Sequence, residues 1–149
     1  MKKVMVSFLL AFTLLLSSCS SKTPVTSEQF KTIMEENGYV VTDVSSSYDS
    51  ALLSSMLIAV KDDYQVEFFE FTEEANASHS FGLNKGDAEL LEDGNHVKTS
   101  ASSGSYESYT ITGDGEYYAI YRVGNTMVFA HVLEEDKDAI NEAIKALNY

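Results

Sequence analysis

Two dipeptides near the end of the chain, Asp114-Gly115 and Gly124-Asn125, constrain the fold more than any other feature. They separate three runs rich in β-branched and aromatic residues, Tyr106–Thr112, Glu116–Val123 and Thr126–Leu133. Asp-Gly suits a type I′ turn and a leading Gly suits a type II′ turn, the two turns whose twist matches that of antiparallel strands. Two-residue turns leave one register for each pair of strands. Across Gly124-Asn125, Val123 then faces Thr126, Arg122 faces Met127, Ile120 faces Phe129 and Tyr118 faces His131. Across Asp114-Gly115, Ile111 faces Tyr118, Tyr109 faces Ile120 and Glu107 faces Arg122. One face of this three-strand meander carries Tyr109, Ile111, Tyr118, Ile120, Met127 and Phe129. The other carries Tyr117 and Tyr121 beside Ser108, Thr110, Ala119, Val128 and Ala130. The bulky face is expected to be the core beneath the terminal helices. The second face is expected to be covered by a middle helix, because a soluble domain rarely exposes a large apolar patch. Left uncovered, it is a shallow binding surface, with Tyr117 and Tyr121 as its contacts.

The flanking segments supply the helices. Thr26 followed by Gln29 is a capping-box pattern, with Val25 and Phe30 placed as a hydrophobic staple. Phe30, Ile33 and Met34 share a helical face, and Gly38 after Asn37 is a stop signal. Tyr39–Val44 is predicted as a strand, and Ser45–Ser50 as a loop. Leu52–Val60 fits helix or strand and looks strand-like at its end; after a turn at Lys61-Asp62-Asp63, Tyr64–Phe71 is a strand. Thr72 with Glu73 and Glu74 marks the start of a weakly amphipathic helix to about Asn84, with a further turn or two within 86–93. His96–Thr99 is a candidate strand, and Ser100–Ser105 is expected to be a flexible loop. Ala139, Ile140, Ala143, Ile144 and Leu147 form the stripe of a closing helix over about 136–147. The fold class expected is α+β: an antiparallel sheet including the C-terminal meander, packed by N- and C-terminal helices, with a middle helical insertion.

The first residues speak to location. Met1-Lys2-Lys3 precedes an apolar run, Val4–Leu16, too short to cross a bilayer, which takes about 20 residues. The run ends at Leu16-Ser17-Ser18-Cys19. This segment resembles the signal peptide and lipobox of bacterial lipoproteins. The resemblance covers the leader alone and implies cleavage after Ser18, lipid on the Cys19 sulfur, and an extracytoplasmic place at a cell membrane or envelope. It divides the chain into a signal peptide (1–18), a short tether (19–25) and one α+β domain (26–149). Cys19 is the only cysteine, so lipidation leaves the domain without a disulfide or a thiol nucleophile.

Charge narrows the partners. The chain holds ten basic residues and 23 acidic ones. Loss of Lys2 and Lys3 leaves eight against 23, a net charge of −15 with His neutral. Such a surface repels nucleic acid and anionic headgroups, so acyl chains must supply the membrane attachment. No hydrolase, P-loop, zincin or dinucleotide-binding motif is present. His79, His96 and His131 have no metal-ligand spacing, and neither Asp62-Asp63 nor Glu134–Asp138 matches a calcium loop. No cofactor and no metal is therefore expected. Arg122, the only arginine, is expected to pair with Glu107 rather than to hold a ligand anion. The expected function is a membrane-anchored, non-catalytic binding or interaction module, whose ligand is an envelope protein or a small molecule. The alternative is an envelope hydrolase using a carboxylate pair.

Overall fold

A computed structural model describes residues 22–90 and 96–149. The leader and Cys19 lie outside the described residues, as does the part of the expected second helical turn that falls within 91–95. The elements run α1 (Ser27–Glu36), β1 (Val40–Asp43), β2 (Leu53–Lys61), β3 (Tyr64–Phe71), α2 (Glu74–Glu89), β4 (Val97–Ser103), β5 (Tyr106–Gly113), β6 (Glu116–Val123), β7 (Thr126–Leu133) and α3 (Lys137–Ala146). Single 3₁₀ turns follow β1 and β7. The seven strands form one antiparallel sheet in the order β1-β2-β3-β7-β6-β5-β4. The domain is α+β, with terminal helices and a middle helical insertion.

The local signals act as their chemistry requires. Thr26 Oγ1 accepts from Gln29 N at 3.2 Å, and Gln29 Oε1 accepts from Thr26 N at 2.9 Å, closing the capping box. At the other end of α1, Gly38 (φ +85°) permits a Schellman motif, in which Gly38 N donates to Glu35 O and Tyr39 N to Met34 O. The same motif ends α3 on Asn148 and Tyr149. Both meander turns carry the expected backbone. Asp114 and Gly115 both have positive φ, as type I′ requires, whereas in the second turn Gly124 alone does. Every cross-strand partner expected from those turns is found.

The helices do not cover the faces as expected. Helices α1 and α3 pack on the face that carries Tyr117, Ala119, Val128 and Ala130. Phe30, Met34, Ile140, Ile144 and Leu147 come from the helices, and the Phe30 ring stacks on Phe68 with centroids 4.7 Å apart. The bulky face, Tyr109, Ile111, Ile120 and Met127, lies beneath α2, which contributes Ala77, Phe81 and Ala88. The physical reason is volume. Where two helices bring down Phe30, Met34, Ile140 and Ile144, the centre of the meander offers Ala119, Val128 and Ala130; where α2 brings Ala77, Phe81 and Ala88, the strands supply more of the bulk. Both faces are closed at their centre, with Ala119 and Ile120 each 0% exposed.

Two local expectations also change. Ser100–Ser103 belongs to strand β4, which pairs with β5 from Val97 to Ser103 around a two-residue turn at Gly104-Ser105. All its residues are exposed at the sheet edge, so it has no apolar alternation to announce it. Helix α2 continues to Glu89 rather than pausing near Asn84. Its N-cap is Glu73 without a side-chain bond, while Thr72 Oγ1 donates to Ala51 O instead.

Candidate functional site

The strands give the domain two poles. At one, Lys22 lies over the Tyr106 ring at 4.6 Å and Pro24 packs on Gly124, its Cγ 2.8 Å from where a Cβ would stand. This is where the N-terminal end of the described chain meets the sheet. The C-terminal Tyr149 hydroxyl and Thr126 Oγ1 form a hydrogen bond at the same pole. The far pole holds the turns Asp62-Asp63 and Asp114-Gly115 and the acidic 3₁₀ turn Glu134–Asp136.

Titratable side chains converge at the far pole on the α2 side. Tyr118 and His131, opposite each other on β6 and β7, stack with centroids 3.8 Å apart. Glu116, two residues before Tyr118 on the same face, reaches both: its Oε2 lies 3.1 Å from His131 Nε2 and accepts from Tyr118 Oη at 3.4 Å. Burial, with Glu116 adding to it, pushes the Tyr118 hydroxyl up to about 12, so it stays a neutral donor at physiological pH. Nearby, His96 Nε2 lies 3.6 Å from Asp114 Oδ2. The His96 ring occupies the space above Gly113, where an added Cβ would come within 2.1 Å of it. Gly113 is therefore the residue that admits this imidazole. A cavity of about 210 Å³ opens among Ala88, His96, Ile111, Asp114, Glu116 and Tyr118. The donor set suits a small polar or cationic group, since carboxylates accept and the tyrosine donates. Among the described residues no three His, Cys, Asp or Glu side chains are grouped to hold a metal ion.

Beside this cluster part of the sheet lies open. One cross-strand row runs Thr42, Ile58, Glu67, Phe129, Ile120, Tyr109, Ser100 through all seven strands. Helix α2 seals Ile120 and Tyr109, but Ile58, Glu67 and Phe129 are only half-buried and Thr42 is exposed. A depression of about 500 Å³ continues past Val60, Gln65, His131 and Leu133 to Asp62 and Asp63.

The residues expected to matter are scattered. Tyr117, expected as a tentative binding contact, is buried in the main core with its Oη donating to Asn141 Oδ1 at 2.8 Å, and burial raises its hydroxyl well above the usual range. Tyr121 is half-buried on that same covered face. The binding surface therefore does not lie there, because α1 and α3 occupy it. Arg122 pairs as expected with Glu107, Nε to Oε2 at 2.6 Å, and its Nη1 also meets Glu74 Oε1 at 3.1 Å and Gly124 O at 2.9 Å. It ties the first turn of α2 to the meander. His79 is exposed on α2. Sequence reasoning passed over Glu116, although the register that sets Tyr118 against His131 puts Glu116 on their face.

Fold and site together define an α+β domain with a polar cluster at the pole opposite its N-terminal entry. The chain matches no family model, no curated protein and no solved structure.

Proposed function

We propose that residues 19–149 form a lipid-anchored, extracytoplasmic binding module that presents the pole farthest from its anchor to a partner. The carrying observation is the separation of the two poles: the chain arrives over Tyr106 and Gly124, while the cavity, the Tyr118–His131 stack and the open sheet lie at or toward the opposite end. The lipobox-like Leu16–Cys19 supplies the anchor. From Cys19 to Thr26 the tether reaches at most about 25 Å, so the near pole rests close to the bilayer. At a net charge of −15, the membrane is held through acyl chains, of which two or more give stable attachment. The test is intact mass and fractionation. The mature protein should lack residues 1–18, carry acyl mass on Cys19 and pellet with membranes, and Cys19→Ala should leave it soluble or unprocessed. An unmodified Cys19 thiol on the mature protein overturns the anchored reading.

One observation favours the hydrolase reading: Asp114, Glu116 and Tyr118 line a single cavity. Two others weigh against it. The cavity is smaller than the roughly 300 Å³ at which ligand pockets begin, and each carboxylate already faces a histidine. Turnover of chromogenic glycosides that disappears in Glu116→Gln would replace the module with an enzyme.

A further inference from the structure

On the α2 side, no helix among the described residues lies over the half of the sheet made by β1, β2 and β3 near the far pole. Val40 is 72%, Leu133 53% and Val60 40% exposed there, with half-buried Ile58 and Phe129 between them. We infer that this open half-face docks a cationic, apolar-faced peptide segment of a partner protein. The inference rests on the binding-module reading and names the chemistry of its partner.

Three observations specify that chemistry. The first is apolar area: Val40 pairs across to Val60, and Ile58 and Phe129 flank Glu67 in the next row, giving a continuous surface for apolar side chains. The second is charge. Asp62, Asp63 and Asp136 rim the depression, and Glu116 stands beside His131. The basic residue closest in sequence, Lys61, turns to the other face, where its Nζ donates to Asn37 O at 3.0 Å and lies over the Tyr39 ring. Lys137 likewise serves the other face, over Tyr117. The third is Glu67. It stands between Ile58 and Phe129 in the cross-strand row, half-buried, and its Oε1 accepts from the Gln65 amide at 2.8 Å. Burial raises its affinity for a proton, and the Gln65 bond offsets only part of this. A carboxylate so desolvated gains most from a positive partner brought to it.

The same features exclude other occupants. A second copy would bring the same ring of carboxylates face to face, and an anionic lipid surface would be repelled. A neutral apolar ligand would strip water from Glu67 without replacing it. A segment alternating Lys or Arg with Leu or Phe satisfies both the apolar row and the acids.

The test uses the processed full chain in a neutral detergent and a fluorescent peptide of alternating Lys and Leu, followed by anisotropy at low and high salt. Saturable, salt-weakened binding is expected. Glu67→Gln and Val60→Lys should each weaken it by about tenfold or more. Glu28→Gln, an exposed acid on α1, should change it less than about twofold. Melting temperatures within a few degrees of the parent would show that the variants fold. If Glu28→Gln weakens binding as much as Glu67→Gln, the attraction is bulk acidity and the docking surface is refuted. If neither Glu67→Gln nor Val60→Lys matters, it is equally refuted. Crosslinks from native membranes that map to another surface of the domain would refute this site while leaving the module standing. Turnover abolished by Glu116→Gln would remove the module itself.

Discussion

Beneath α1 and α3 the strands contribute Ala59, Val66, Ala119, Val128 and Ala130 around the larger Phe68 and Tyr117, and the helices contribute Phe30, Met34, Ile140, Ile144 and Leu147. Beneath α2 the helix contributes less bulk: Tyr109, Ile111, Ile120 and Met127 rise from the strands to meet Ala77, Phe81 and Ala88. Both sides reach full burial at their centre, yet they differ in extent. The two-helix side spans the sheet from β2 to β6, whereas the single helix leaves β1 to β3 partly bare. Close packing fixes the total volume and not its source, so large strand residues such as Phe68 and Tyr117 lie beneath the two helices, and Ile120 and Tyr109 beneath the one.

The comparison breaks first at the largest residues. Phe68→Ala, on the two-helix side, should cost about 3–5 kcal/mol in denaturant melts. Phe81→Ala, on α2, should cost less globally and mainly release the helix. Native-state hydrogen exchange should then show α2 amides opening locally while β6 and β7 stay protected. Amides of α2 that exchange only with global unfolding in that variant would mean that the two sides form one cooperative core. Ile120→Ala should cost about 2–5 kcal/mol. Its neighbour Ala119, equally buried on the opposite side, makes Ala119→Ser cost about 1–3 kcal/mol through a hydroxyl with no room for water. A neutral Ala119→Ser would show that the two-helix side is looser than its burial implies.

Arg122→Met tests the pin between the sides. It removes the bonds to Glu107 and Glu74 and should cost about 1–2 kcal/mol, with faster exchange in the first turn of α2. The smallest effect is expected at the open half-face. Burial raises the Glu67 carboxyl above its ordinary value. At low pH it is protonated in both folded and unfolded chains and costs nothing. As pH rises, the unfolded chain loses that proton first, so the folded state loses stability through this window. Glu67→Gln should therefore stabilise the domain slightly near neutral pH and leave it unchanged near about pH 3. A variant less stable at neutral pH would show that the Glu67 charge already has a favourable partner.

The parts of the fold that could be read from sequence are those governed by local chemistry. Asp114-Gly115 and Gly124-Asn125 accept only particular backbone twists, so every meander pair followed from them. Thr26, Gln29 and Gly38 fixed α1 at both ends. What could not be read depends on distant volume. Nothing local to Ile120 or Tyr117 says which helix lies above, so the two faces were exchanged and Tyr117 was given a surface role that its burial denies. The start of strand β4 was legible at His96–Thr99, but Ser100–Ser103 escaped because it is an exposed edge of small residues, where pairing leaves no pattern in the side chains. The site was half legible. Tyr118 against His131 follows from the register, but His96 and Asp114 meet only because β4 lies beside β5 and Gly113 leaves room for an imidazole.

The strand order has a further consequence, for how the chain reaches this state. Strands β1–β3 and β4–β7 are two stacks of neighbours, each wound from contacts close in sequence. Among the described strands a single ladder, Glu67–Glu70 against Thr126–Phe129, joins the stacks across a long loop that contains α2. The entropy of closing that loop falls on one seam. Folding should then be paced by the docking of two preformed halves, with a folding rate sensitive to Phe68→Ala at the seam and indifferent to changes at the Gly104 turn. The same seam can in principle be made between chains at high concentration, with halves exchanged. Helix α2, which touches β3 on one side of the seam and β5, β6 and β7 on the other, favours closure within one molecule.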